Sequence, residues 1–387
     1  MKSVCFCGEV HLPLNLKWYW PAYEYTKPSI DKYFDLPQVY SSFDKIGYDV
    51  IRTNEVIKES IENGGKYSFN ISGTFIDICK KWNFDVIKSF KELSNTEKVE
   101  FTSSSYYHSL SSLYNDSFEF RDQIKKHRNE INNLFEQNPQ TFIDSELILT
   151  THTGSILQDQ GFECIISEGS SNLLDGTDPV YVYNNQLPIL LRHINLSEDI
   201  ETRFSDRSWT GYPLIPDKFA SWINNMEGDV VVIYFNYDTL ARHHENGSNI
   251  FQFLKELPES LKKYDIKMET PSEAVKKHQK VKLDNLNIES TARFGMDSLT
   301  GNHMQNLYLC ELMGINKDLQ KIKESPDYNF LKQIYGYLQQ SDIFLDMNYN
   351  NLPLAYERGV NNFSIISDFR RAVIEEAGQI KKMEAGQ

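Results

Sequence analysis

The chain has 387 residues, and 40 Lys and Arg stand against 54 Asp and Glu for a formal net charge of -14. That acidic balance, without any basic block, excludes nucleic acid and anionic membrane surfaces as natural partners. Hydrophobic residues make up 40% of the chain, enough to bury the core of one large barrel with a smaller appendage.

The amino terminus, Met1-Lys2-Ser3-Val4-Cys5-Phe6-Cys7, runs straight into a strand-like stretch without the apolar segment and cleavage site of a signal peptide. Cys5 and Cys7 lie two apart and share one face of that strand. With Cys79, Cys164 and Cys310 they form an odd, scattered set, as expected of reduced thiols in a cytoplasmic protein. No second cysteine pair answers them, so no metal and no cofactor is expected. Short apolar runs then recur at residues 4–10, 67–71, 99–102, 141–143, 163–166, 188–191 and 229–235. Longer amphipathic stretches separate them: residues 38–63, stopped by Gly64-Gly65, and the helical repeat of Phe120, Ile124, Ile131, Leu134 and Phe135, stopped by Asn138-Pro139. Strands alternating with helices imply a parallel sheet, and seven of them imply an α/β fold with a closed or nearly closed (β/α)7-type parallel barrel. After about Thr270 no strand is expected. Residues 302–313 and 328–340 read as helices of a C-terminal helical region. The expected division is a barrel over residues 1–275 and a helical domain over 276–387, joined through the charged stretch 276–285 and completing the barrel's groove.

In parallel barrels chemistry gathers where the strands end, at the carboxyl face. The strand ends offer Glu9 and His11, Thr74, His108, Glu146, Glu168, His193 and the Asn236/Asp238 pair. Each taken singly also reads as a turn or capping residue. His11 and His108 also read as buried histidines bonding neighbouring strands. Trp18, Trp20 and Trp209 read either as stacking platforms for sugar rings or as core residues.

The motifs resemble those of glycoside hydrolase family 57, intracellular α-amylase-like branch. Glu9-Val10-His11-Leu12-Pro13 is similar to the family's first motif, His-Gln-Pro. The second is matched by Val99-Glu100-Phe101 through Tyr106-Tyr107-His108-Ser109-Leu110. Asp144-Ser145-Glu146-Leu147-Ile148 resembles the segment that carries the family's nucleophile. Ser167-Glu168-Gly169, Leu196-Ser197-Glu198-Asp199-Ile200 and Arg203-Phe204-Ser205-Asp206 resemble further shared stretches, with an echo at Gly301-Asn302-His303-Met304-Gln305. The resemblance implies an α-linked oligo- or polysaccharide as partner, Glu146 as nucleophile, and His11, His108 and Glu168 as groups that hold sugar hydroxyls; Trp209, as a stacking platform, is the further substrate-binding residue expected.

Four of the family's active-site positions depart from its pattern. Leu12 replaces glutamine, Asn236 replaces the general acid/base aspartate, Asp238 replaces a glutamate, and Thr300 stands in place of an aromatic. Retaining glycosidases use two carboxyl groups roughly 5 Å apart, one attacking the anomeric carbon and one protonating the leaving oxygen. Asparagine has no ionisable proton, and losing general acid catalysis typically costs about 100- to 10,000-fold. One escape is that Asp238, two residues on, projects beside Asn236 and does the acid's work. Two readings follow: a retaining α-glucan hydrolase or glucanotransferase using Glu146 with Asp238 or another acid, and an impaired homologue that binds oligosaccharide without efficient turnover. A third class, metal-dependent hydrolysis, needs converging His and Asp ligands, which His11-Leu12-Pro13 and His243-His244 do not supply.

Overall fold

The computed structural model describes all residues except 21–25, 170–172, 175, 245–248, 284–286, 289–294, 350–353 and 386–387. Asn285, where the expected connection ends, lies outside the described residues. The chain divides into two compact units. One comprises residues 1–12, 42–106 and 124–290, the other residues 13–41, 107–123 and 291–387.

The first unit is a seven-stranded parallel barrel. Its strands are β1 (Lys2–Val10), β2 (Tyr67–Ile71), β3 (Val99–Phe101), β4 (Thr141–Ile143), β5 (Cys164–Glu168), β6 (Pro188–Arg192) and β7 (Val230–Asn236). Pairing runs β3-β2-β1-β7-β6-β5-β4, every step parallel. Ser103, two residues past β3, joins the ends of that ribbon. Its N–H donates to Thr141 O at 2.9 Å, and its carbonyl accepts from Ile143 N at 2.9 Å. A parallel sheet left open would expose two edges of unpaired backbone, whereas closure removes them.

Period-two alternation explains the barrel's contents. The inner face is lined by Cys5 and Cys7 of β1, Ile143 of β4, Cys164 and Ile166 of β5, Leu190 of β6, and Val230, Val232 and Tyr234 of β7. The outer face is aromatic. Phe6 meets Phe219 edge-on at 6.3 Å, Phe69 meets Phe90 at 5.1 Å, and Phe101 stacks on Phe135 at 4.0 Å, so helices clamp onto β1, β2 and β3.

The helix expected over residues 38–63 spans Leu36–Glu62, and Gly64 ends it with φ +97°, a left-handed value that glycine adopts without steric cost. The helix expected around Phe120–Phe135 spans Phe118–Phe135. The expectation of no strand after Thr270 is corrected. Lys280–Lys282 pairs in parallel with Val182–Asn184, and Asn287–Ile288 pairs antiparallel with Leu149–Thr150. Lys280, Val281 and Lys282 are all exposed, so this strand carries no apolar signal and is made by pairing alone.

The second unit is helical. Its longer members are His303–Leu319, Tyr328–Tyr337 and Ala355–Ala385. A capping box starts the first, with Asn302 Oδ1 accepting from Gln305 N and Gln305 Oε1 accepting from Asn302 N. Lys32 and Asp368, both buried, pair at 2.6 Å, and Tyr33 donates to the same carboxylate at 2.8 Å. Among the described residues no helix is long and apolar enough to cross a membrane.

Barrel closure is braced by His127, which is fully buried. Its Nδ1 accepts from Ser104 N at 3.2 Å, leaving Nε2 as the donor to Ile71 O at 2.7 Å. The ring thus ties the end of β2 to the segment that closes the sheet. Burial lowers its pKa to about 4. A folded pKa below the unfolded value means stability that is fully present above pH 6.5 and lost as pH falls toward 4. Urea unfolding of wild type and His127→Gln should show a stability advantage for wild type at pH 7 that shrinks by on the order of 3 kcal/mol at pH 4. A difference independent of pH would contradict it.

Candidate active site

Extending the alternation by one step places the next inward residues at the carboxyl mouth: Glu9 after Cys7, Glu168 after Ile166, Arg192 after Leu190, and Asn236 after Tyr234. The hydrogen bonds agree with this placement. Tyr234 interacts with the Glu9 carboxylate and lies 3.5 Å from Asn70 Nδ2. Arg192 donates to Tyr234 O at 2.9 Å and reaches Glu168 at 3.4 Å and Glu201 at 3.6 Å. Glu201 ends the helix Ile194–Glu201, which His193 begins by accepting Leu196 N on its ring at 3.3 Å.

Glu146 stands just beyond β4. The strand stops at Ile143, and Asp144 opens a tight turn, its Oδ1 accepting from Ser145 N at 3.0 Å and from Ser105 Oγ at 2.7 Å. Glu146 and Leu147 both take left-handed backbone, with φ 56° and 52°. Such conformations cost non-glycine residues on the order of 1–3 kcal/mol each and persist only where surrounding structure over-determines them. Here Ser167 Oγ donates to Leu147 O at 2.6 Å, fastening the turn to β5 one residue before Glu168. The result is a half-buried glutamate held by a constrained turn.

Asn236 and Asp238 part company. Asn236 Nδ2 donates to Glu201 Oε1 at 2.7 Å. The strand ends there, and Tyr237 turns to the aromatic outer layer, 5.1 Å from Phe69, with its hydroxyl donating to Asn54 at 2.6 Å. Asp238 then adopts helical backbone and pairs with Arg242 at 3.1 Å. The expectation that it projects beside Asn236 by strand alternation is corrected, because the extended backbone has ended. Asp238 instead feels the charges of Arg242, His243 and His11. His11 is oriented by Ser72, whose Oγ lies 2.7 Å from its Nδ1 and also caps the helix Gly73–Trp82.

Burial raises the pKa of Glu168 against the opposing pull of Arg192 and the Gly169 N–H, and burial raises that of Asp238 against Arg242. His193 is lowered by burial, with Asp178 opposing.

Trp209 is half-buried, edge-on to Trp222 at 6.0 Å, with the Arg203 guanidinium 5.8 Å from its ring centre. Trp18 and Trp20 belong to the second unit and are 49% and 59% exposed, so they are not core residues. His108 also belongs to the second unit, where its Nδ1 lies 2.9 Å from Ser341 Oγ. Glu201 and Arg192 were not singled out from the sequence. An arginine closing the apolar run Pro-Ile-Leu-Leu was the available signal, whereas Glu201 carries none because it reaches the mouth from a helix end.

The chain belongs to glycosyl hydrolase family 57, whose family model matches residues 5–289. It is 32% identical over 347 residues to a Methanocaldococcus jannaschii protein described as "Putative alpha-amylase", covering 86% of this chain and 74% of the relative. A GH57-type branching enzyme from Pyrococcus horikoshii shares its fold with a TM-score of 0.69 at 11% identity, over 97% of this chain and 94% of that one. A 4-alpha-glucanotransferase from Thermococcus litoralis superposes with a TM-score of 0.62 at 13% identity, over 93% of this chain and 59% of that one.

The raised pKa of Asp238 has a measurable consequence. A carboxyl group whose folded pKa lies above the unfolded value contributes stability that is present at low pH and lost as pH rises through the folded value. Asp238→Asn removes that loss. The variant should gain stability relative to wild type on going from pH 3 to pH 7 in urea unfolding, and a gap that stays constant or narrows would refute the electrostatic account.

Proposed function

We propose that the chain is an α-glucan-active hydrolase or glucanotransferase of retaining type, with Glu146 as nucleophile. The observation that carries this reading is the Glu146 turn: two consecutive left-handed residues, pinned by Asp144, Ser105 and Ser167, at the carboxyl mouth beside Glu168. Backbone strain of that kind is maintained where a side chain must be aimed, and a retaining mechanism needs an anchored carboxylate. His11, Glu168, Trp209 and His108 bind sugar hydroxyls and rings in this reading, and the names of the relatives support an α-linked glucan as the substrate. The five cysteines are free thiols, which fits a cytoplasmic setting.

Asn236 favours a second reading, an oligosaccharide-binding homologue without efficient turnover, because an amide gives no proton to the leaving oxygen. Reducing-sugar release and chain-length redistribution from maltooligosaccharides separate the two. Wild type should turn over, and Glu146→Gln should lose on the order of 10,000-fold, as enzymes deprived of a catalytic group do. If wild type and variant are equally inert while calorimetry detects maltoheptaose binding, the second reading replaces the first.

A further inference from the structure

We propose that the carboxyl group serving as proton donor at the mouth of β7 is Glu201, with Asn236 as its positioning partner. This rests on the glycosidase reading above and names the acid that reading lacks. Glu201 comes from the end of the helix that follows β6, yet its Oε1 is 2.7 Å from Asn236 Nδ2, at the place where the strand alternation delivers the expected acid. Its other oxygen faces Arg192 at 3.6 Å, and its side chain is 17% exposed, so it is held rather than free to wander. Asn236 itself is exposed, and its amide is oriented by the carboxylate it donates to. The carbonyl of Glu201 accepts from His244 Nε2 at 2.7 Å, which anchors the helix end.

The charges at the mouth are consistent with this role. Arg192 is shared between Glu168 and Glu201, so one guanidinium is divided between two carboxyl groups. A helix carboxyl end, where free carbonyls concentrate partial negative charge, is also an unfavourable place for a fixed anion. Asp238, by contrast, has its own cation in Arg242 and has left the strand.

The chemistry balances in two steps. The Glu201 carboxyl proton passes to the glycosidic oxygen as the bond from the anomeric carbon to that oxygen breaks, and the bonding pair stays on oxygen. A Glu146 carboxylate oxygen forms the new bond to the anomeric carbon. The Glu201 carboxylate then takes a proton from water or an acceptor sugar hydroxyl, whose oxygen attacks the anomeric carbon and releases Glu146.

The test compares two substrates that differ in their need for a proton. Maltooligosaccharides require a donor for the leaving sugar, whereas α-maltosyl fluoride expels fluoride without one. Glu201→Gln should lose about 100- to 10,000-fold on the oligosaccharide, whereas the first-turnover burst of fluoride, which precedes any need for Glu201 as acid or base, should lose far less, with the later turnovers slowed because release of Glu146 lacks its base. The double variant N236D/E201Q exchanges the two groups across the same hydrogen bond and should recover most of the loss. Equal losses on oligosaccharide cleavage and on the first-turnover burst of fluoride, full activity of Glu201→Gln, or a double variant no faster than Glu201→Gln would each overturn the proposal. Wild-type protein inert toward both substrates would remove the glycosidase reading itself, whereas active wild type with an unaffected Glu201→Gln removes the inference alone.

Discussion

The two backbone hydrogen bonds of Ser103 turn a ribbon of parallel strands into a ring. Everything functional in the barrel unit depends on that closure. Once the ring is shut, seven strand ends share one rim, and the ends of β3 and β4 become neighbours just as the pairing of β1 with β7 already makes neighbours of Glu9 and Asn236. His127 secures the joint from outside the strands, and its neutral imidazole matches one donor to Ile71 and one acceptor to Ser104 without burying a charge.

The rim is built as a continuation of the apolar interior, which makes its polar groups costly and their pairing necessary. Glu168, Arg192, Glu201 and Asn236 form one connected set, and each bond constrains the next. An arginine suits the centre of such a set, because its planar guanidinium presents several donors in fixed directions and stays charged when buried. The Glu146 turn is attached to the same rim through Ser167. The aim of Glu146 and the order of the carboxylates around β5 and β6 are therefore coupled through backbone and side-chain bonds rather than through proximity alone.

Asn236 alters the meaning of its surroundings. An aspartate there would face Glu201 across a hydrogen-bond distance, two like charges competing for one proton. Asparagine removes the conflict by donating to the carboxylate. Read from the sequence, the same residue is only a loss; in the folded barrel it is half of a pair whose other member comes from a helix end thirty-five positions earlier.

The seven apolar runs, the helices between them and the turn-forming Gly64-Gly65 were legible because they rest on local rules: period-two burial, amphipathic spacing and glycine's access to left-handed backbone. The family motifs, with Glu146 among them, were legible as ordered text. Asp238 was misplaced because alternation holds only while backbone stays extended, and the chain turns helical one residue too early for it to count. The strand Lys280–Lys282 was invisible because an exposed pairing segment needs no apolar pattern. Thus the sequence by itself determined the barrel and the identity of its strand-end residues, since both follow from interactions between near neighbours in the chain. Only tertiary structure decided that Asn236 meets Glu201 and that Arg192 is shared between two acids, because those bonds arise from the side-by-side pairing of β5, β6 and β7 and the packing of the helix after β6, which no local pattern encodes.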